Sequence, residues 1–60
     1  MKTSELLKEF RKNKIFLVRH GAGHDVYFSP ITQAYITVPR HAKEIKTGTL
    51  KNIRKQAGLE

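Results

Sequence analysis

The apolar residues of LLKEF, residues 6–10, recur at the three- and four-residue spacing of a helix, and charged residues occupy the other side. We expect an amphipathic helix that Thr3 or Ser4 caps at its start. Asn13 tolerates the left-handed backbone that ends many helices, so the helix should end there.

Near the C-terminus, Leu50, Ile53 and Ala57 repeat the same spacing. We expect a second helix that Thr47 caps and Gly58 ends, because glycine readily adopts the left-handed conformation of a helix terminus. Leu59 would then fold back against Ile53, a contact that commonly accompanies a glycine terminus.

Three segments between the helices are rich in branched and aromatic residues, which favour strands: residues 15–18, 25–30 and 35–40. The first segment is apolar on both faces, so its register stays open. Its second apolar face indicates that another part of the protein or a partner covers that face. The prolines at positions 30 and 39 should lie at strand ends, because proline donates no hydrogen bond.

Alternation along the second and third strands predicts which face is buried. We place four residues toward the core: Val26, Phe28, Ile36 and Val38. Tyr27 and Tyr35 would then face away, either as a stacking surface for bases, as a platform for a protein partner or as ordinary exposed side chains.

The predicted order is helix, strand, strand, strand, helix, with connections short enough for an antiparallel meander. Both helices must cover one face of the sheet to bury their apolar sides. The predicted fold is therefore α+β, one small α-β-β-β-α domain over residues 1–60, with two helices on one face of a three-stranded antiparallel sheet.

Composition narrows the class of protein. The chain has 60 residues and no cysteine, which excludes a disulfide framework and a thiolate zinc site. Its longest apolar run, IFLV, is far shorter than the roughly 20 residues of a membrane span. We expect a soluble cytoplasmic protein that does not bind a membrane.

The net charge is +7, and its distribution is uneven. Residues 1–14 carry +3, residues 15–39 carry no net charge and residues 40–60 carry +4. Basic ends around a neutral centre favour a polyanion such as RNA or DNA, or an acidic protein. A solvated surface that keeps a small protein dissolved is the alternative.

Few residues are available for chemistry. No GxSxG elbow and no dinucleotide-binding glycine motif is present, and the core is too thin for a deep cofactor pocket, so we expect no cofactor. His20 and His24 are four apart but flank a glycine-rich turn with no obvious third ligand, so we expect no metal.

Cleavage of RNA without metal remains feasible, because the substrate's own 2′-hydroxyl is the nucleophile and the protein need only move protons and supply cations. His24 fits best, since small residues precede it in GAGH and let a backbone approach. Asp25 could orient its imidazole, although neighbours on a strand face opposite ways. His20 and His41 are alternatives, the first as a strand-end residue and the second as a phosphate ligand or plain surface residue.

Three segments, MKTSELLKEFRKNK, LVRHGAGHDVYF and ITVPRHAKEIKTGTLKNIRKQAGL, resemble the HicA family of bacterial toxins, which are messenger-RNA interferases. The resemblance covers nearly the whole chain and is most specific in the last block. It implies a fold like that of double-stranded-RNA-binding domains, one catalytic histidine that corresponds to His24, and an antitoxin partner of the HicB type. Two positions depart from the family pattern: Gly23 replaces a serine or threonine, and Lys14 replaces a common glycine.

The leading hypothesis is a toxin of a toxin–antitoxin system, a metal-independent endoribonuclease in which His24 acts as base or acid on messenger RNA. Arg19, Arg40 and Lys43 would hold phosphate, and Lys51 would add diffuse attraction. Two alternatives are a non-catalytic RNA-binding module of the same fold and a protein-interaction domain with an acidic partner.

Overall fold

A computed structural model describes residues 1–40 and 42–60, so His41 lies outside the described residues. Five elements follow in order: α1 (Thr3–Lys12), β1 (Phe16–His20), β2 (His24–Ser29), β3 (Ala34–Pro39) and α2 (Thr47–Ala57). The strands pair antiparallel in the sheet order β1-β2-β3. The predicted α+β class and its α-β-β-β-α order are confirmed, with each strand displaced by one or two residues.

Both helices pack on one face of the sheet, as expected. The buried cluster draws on α1, β3, α2 and two connecting segments and includes Leu6, Phe10, Ile15, Ile36, Val38, Ile45, Ile53 and Ala57. Ile15 precedes β1, and Ile45 belongs to the segment between β3 and α2. Each is 4% exposed, so two connecting segments contribute to the core.

The predicted core face of β2 is wrong. Tyr27 pairs with the fully buried Ile36, and directly opposite residues of an antiparallel pair share a face. The Tyr27 ring packs edge-on against Phe10 with the ring centroids 5.4 Å apart. Val26 and Phe28 therefore lie on the face without helices. The alternation along β2 was predicted correctly, but the opposite set of residues faces the core.

The predicted helix caps are also wrong. α1 begins after Lys2 and α2 after Lys46, and neither start has a side-chain capping hydrogen bond. The hydroxyl of Thr3 instead donates to the carbonyl oxygen of Ala42 at 2.6 Å. This bond ties the start of α1 to the segment that leads into α2, and the backbone of Thr3 adds a second bond to the carbonyl of Lys43 at 3.0 Å.

The helix ends follow the prediction more closely. α2 ends at Ala57 and Gly58 caps it with a left-handed φ of 79°, while the N–H of Leu59 donates back to the carbonyl of Arg54 at 2.9 Å. α1 ends at Lys12 with Asn13 as its cap, but the left-handed residue is Lys14, with a φ of 62°. Lys14 therefore occupies a position whose backbone conformation favours glycine.

Candidate functional site

His24 is the first residue of β2 and lies directly after the turn that joins β1 to β2. The N–H of Gly21 donates to the carbonyl oxygen of His24 at 2.6 Å and closes this turn. A Cβ added to Gly21 would lie 2.6 Å from the same oxygen, whereas one added to Gly23 would meet nothing within 4 Å. Gly21 therefore permits the close approach that places His24, and Gly23 does not take part in it.

The imidazole of His24 is on the face of the sheet without helices. His24 alternates with Asp25, which shares the helix side with the buried Val38 through their pairing. The His24 side chain is exposed, and no hydrogen bond engages it within residues 1–40 and 42–60. It is therefore available to solvent and to a ligand.

Arg19 lies on the same face as His24 because β1 carries an irregularity. Leu17 pairs with Tyr27, but the next pair joins Arg19 to Val26, so Val18 is the extra residue of a bulge. Without this shift Arg19 would face the helices, because side chains alternate between faces. The bulge thus brings one predicted phosphate-binding cation to the face of His24.

His20 faces the other way and pairs with an acid. Its Nδ1 lies 2.8 Å from an Oδ1 of Asp25, and the two side chains are 63% and 14% exposed. Asp25 therefore orients His20 and not His24, a correction to the pairing suggested by sequence adjacency. Cross-strand pairing at the end of the hairpin, which places His20 opposite Asp25, explains the contact.

Arg40 is hydrogen-bonded to the turn between β1 and β2. One terminal nitrogen of its guanidinium donates to the carbonyl oxygen of Gly21 at 2.8 Å and to that of Ala22 at 3.5 Å, and the other reaches Asp25 at 3.5 Å. Its backbone N–H adds a bond to the carbonyl of Gly23 at 3.3 Å. The remaining guanidinium N–H groups are the donors that a phosphate could use.

The other predicted phosphate-binding residues are spread over the helix side of the molecule. Lys43 and Arg40 line an open pocket of about 510 Å³ at the start of α1, together with Lys2 and Glu44. Lys51 is exposed on α2, and no described contact connects it with the hairpin. The structure therefore places Arg19 on the face of His24 and Arg40 between the turn and Lys43, but leaves Lys51 apart.

Three aromatic rings lie together on the face that carries His24. The ring centroid of Phe28 is 5.6 Å from that of Phe16 and 5.3 Å from that of Tyr35. Phe16 and Tyr35 are 55% and 67% exposed. Sequence reasoning placed Tyr35 outward correctly, but it assigned Phe28 to the core and left the register of Phe16 open.

The fold changes the titration of the Tyr27 phenol. Burial raises its pKa above the ordinary value of 10.0, and the nearby carboxylate of Asp25 raises it further, while Arg11 partly opposes the shift. Its phenol faces the helices, so it does not belong to the surface around His24.

The described part of the chain carries no cluster of metal ligands and no helix that could span a membrane. No three histidine, cysteine, aspartate or glutamate side chains of residues 1–40 and 42–60 are grouped so that they would hold a metal ion. Over the same residues, neither helix has the length and apolar character needed to cross a membrane.

Comparison with known proteins gives one finding. The family described as the HicA toxin of bacterial toxin-antitoxin systems matches residues 3–59, nearly the entire chain. No curated protein and no solved structure matches significantly. Because the match extends from the first residue of α1 to the segment beyond α2, the chain belongs to the HicA family of toxins.

Proposed function

We propose that this toxin is a metal-independent endoribonuclease that cleaves messenger RNA with His24 as its proton-transfer group. The supporting observation is the exposed, unengaged imidazole directly after a closed turn, on the same face as Arg19. Its substrate would place the activity in the bacterial cytoplasm.

The reaction requires two proton movements and charge stabilisation. The 2′-hydroxyl loses its proton and attacks the adjacent phosphorus, and the 5′-oxygen leaves with a proton from an acid. His24 performs one of these transfers. The extra negative charge on the phosphorane is stabilised by cations, for which Arg19 is best placed by its shared face.

The remaining predicted cations would bind the RNA chain away from the cleaved bond. Arg40 and Lys43 share a pocket, and Lys51 supplies attraction from α2. Each phosphate contact contributes about 0.7 to the slope of log affinity against log salt for single strands. We expect Lys43→Ala to lower that slope more than Lys51→Ala, because Lys51 acts only at long range.

The test compares two histidines of one hairpin that face opposite ways. His24→Ala should reduce RNA cleavage by about 10²- to 10⁴-fold, the usual cost of losing a positioned acid or base. His20→Ala should cleave like the parent protein. Both variants should keep the parent's circular dichroism and melting temperature, and cleavage by the His24→Ala protein at the parent rate would refute the catalytic role.

One observation favours a second candidate, a non-catalytic RNA-binding module. His20 faces away, so no other described histidine accompanies His24 on its face to act as the partner acid or base. The module would bind RNA without cutting it, and His24→Ala would then change neither RNA integrity nor bacterial growth.

Membership in a toxin–antitoxin family implies an antitoxin partner, and we propose one of the HicB type that covers the β1–β2 hairpin. The edge strand β1 supports this placement, since Phe16, Leu17 and Val18 are all 40% or more exposed. An unpaired apolar edge needs a cover in solution. Co-expression of the adjacent reading frame should give a complex that protects His24 from ethoxycarbonylation by diethyl pyrocarbonate, whereas unchanged modification would place the antitoxin elsewhere.

A further inference from the structure

The face of the sheet without helices carries a compact aromatic surface, which we name the aromatic platform: Phe16, Phe28 and Tyr35. Each ring comes from a different strand, and the central ring of Phe28 contacts both neighbours at centroid distances of 5.6 and 5.3 Å. Register keeps the three on one side, because Phe28 pairs with Phe16 and with Tyr35. The arrangement is therefore a property of the sheet and not of one flexible side chain.

The charges beside the platform restrict what it can bind. His24 and Arg19 lie on this face, and the nearest carboxylate along β2, that of Asp25, lies on the other face with His20 and Arg40. Over the described part of the three strands, this face carries a cation and aromatic rings but no acidic side chain. The complementary ligand has flat π faces and negative charge.

Unpaired nucleotides have both properties. Every base offers a π face to an aromatic side chain, and each nucleotide brings a phosphate. A base pair inside a duplex is already stacked on its neighbours, so exposed aromatic residues on a sheet bind single strands and not helices. We propose that the aromatic platform stacks unpaired bases of the RNA that His24 cleaves, which makes the substrate single-stranded.

The spacing along β2 supports one continuous path. Phe28 is four residues from His24 on the same face, which corresponds to about 13 Å at the rise of a β-strand. An RNA strand whose cleaved bond lies at His24 can therefore place a neighbouring base on the platform, with Arg19 between them on β1. This inference rests on the proposed function only for the position of the cleaved bond.

The test measures binding and not cleavage. The probe is a fluorescent single-stranded RNA with 2′-O-methyl riboses, which cannot be cut, and a duplex of the same length. Tyr35→Leu should weaken single-strand binding by about 5- to 150-fold, the effect expected when one base loses its aromatic partner. Tyr35→Phe should bind like the parent, and both variants should bind the duplex equally.

A matched control lies next to the platform. Leu17 is exposed and belongs to β1, but it faces the helix side. Leu17→Ala should leave single-strand binding unchanged, whereas Phe16→Leu should weaken it. An equal loss in the Leu17→Ala and Phe16→Leu proteins would refute the platform, because it would show a general effect on β1.

The same variants distinguish RNA from other ligands of the aromatic platform. Unchanged single-strand affinity in Tyr35→Leu refutes the inference. If that variant instead loses antitoxin binding, the platform is a protein interface. If it instead loses self-association on gel filtration, the platform is a dimer contact. The proposed function is tested separately. Cleavage that survives His24→Ala refutes the nuclease role of His24 but leaves the platform standing if Tyr35→Leu still loses affinity.

Discussion

Arg40 fastens the turn that carries His24: its guanidinium donates to the carbonyl oxygen of Gly21 at 2.8 Å and also reaches Asp25. These contacts link the end of β3 to the turn between β1 and β2. Arg40 thus combines a structural role with the phosphate contact proposed for its remaining N–H groups.

Variants of Arg40 should separate these two roles. Arg40→Ala should lower kcat by about 10- to 100-fold, because small displacements of a reacting group have effects of this size, and should lower the salt slope of RNA affinity by about 0.7. Arg40→Lys should restore the slope but not kcat, because an ammonium lacks the fork that reaches several acceptors. Full recovery of both by lysine would show that the contacts to the turn do not matter.

The two glycines of the turn should respond differently to alanine. Gly21→Ala should destabilise the protein by about 1–3 kcal/mol, because its Cβ would overlap the carbonyl oxygen of His24. Gly23→Ala should be neutral or stabilise by up to about 1 kcal/mol, since it fills open space and restricts the unfolded chain. Urea unfolding of both variants measures the difference, and equal losses would contradict it.

The element order is predictable from sequence because the apolar spacing changes from helical to alternating and back. The inward face of β2 is not predictable in this way. Hydrophobicity favours Phe28 over Tyr27 for the core, whereas the register places Tyr27 and the buried Ser29 on the helix side. Tyrosine buries its ring here while Phe28 joins an exposed aromatic cluster. Hydrophobicity alone does not distinguish these two outcomes.

The candidate site, like the fold, is only partly predictable from the sequence. A histidine beside small residues indicates an accessible turn, and His24 is exposed there. The bulge that turns Arg19 toward it has no sequence signature, and a shift of one residue exchanges the two faces of a strand. The pairing of His20 with Asp25 depends on the same register and is equally hidden from the sequence.

Lys14 offers a route to a more stable protein. Its φ of 62° is left-handed, which costs a residue with a side chain roughly 1 kcal/mol and costs glycine little. Lys14→Gly should therefore raise the free energy of unfolding by up to about 1 kcal/mol. Lys8→Gly, an exposed position inside α1, should lower it by about 1 kcal/mol. Thermal denaturation compares the two, and destabilisation by both would refute the conformational explanation.

Ser29 should be more important to stability than a hydroxyl usually is. It is fully buried, and its Oγ donates to the carbonyl oxygen of Ala57 at the end of α2 at 2.7 Å. Ser29→Ala should cost about 1–3 kcal/mol, because that carbonyl then stays buried without a partner. Thr32 donates similarly to Gln56, but in an exposed position where water replaces the hydroxyl. Thr32→Ala should cost less than about 0.5 kcal/mol, and the reverse ranking in urea unfolding would contradict this account.

Tyr27 should make the protein less stable in alkaline solution. Burial and the carboxylate of Asp25 raise its pKa above 10.0 in the folded state. Below pH 10 the phenol is protonated in both states and adds no pH dependence. Above pH 10 the unfolded chain releases this proton first, so it binds fewer protons than the native state and the free energy of unfolding falls until the pH passes the folded pKa.

Two measurements check this titration. The chain has two tyrosines, so in a Tyr35→Phe background the rise in absorbance at about 295 nm reports Tyr27 alone; its midpoint should lie above the value of an unfolded tyrosine, about 10. Adding Asp25→Asn should move the midpoint down, because one cause of the shift is removed. In the parent chain, Tyr27→Phe should reduce the loss of stability above pH 10. A midpoint at or below that of the unfolded chain would show that the fold does not protect this phenol, and would place its hydroxyl in water instead of against α1.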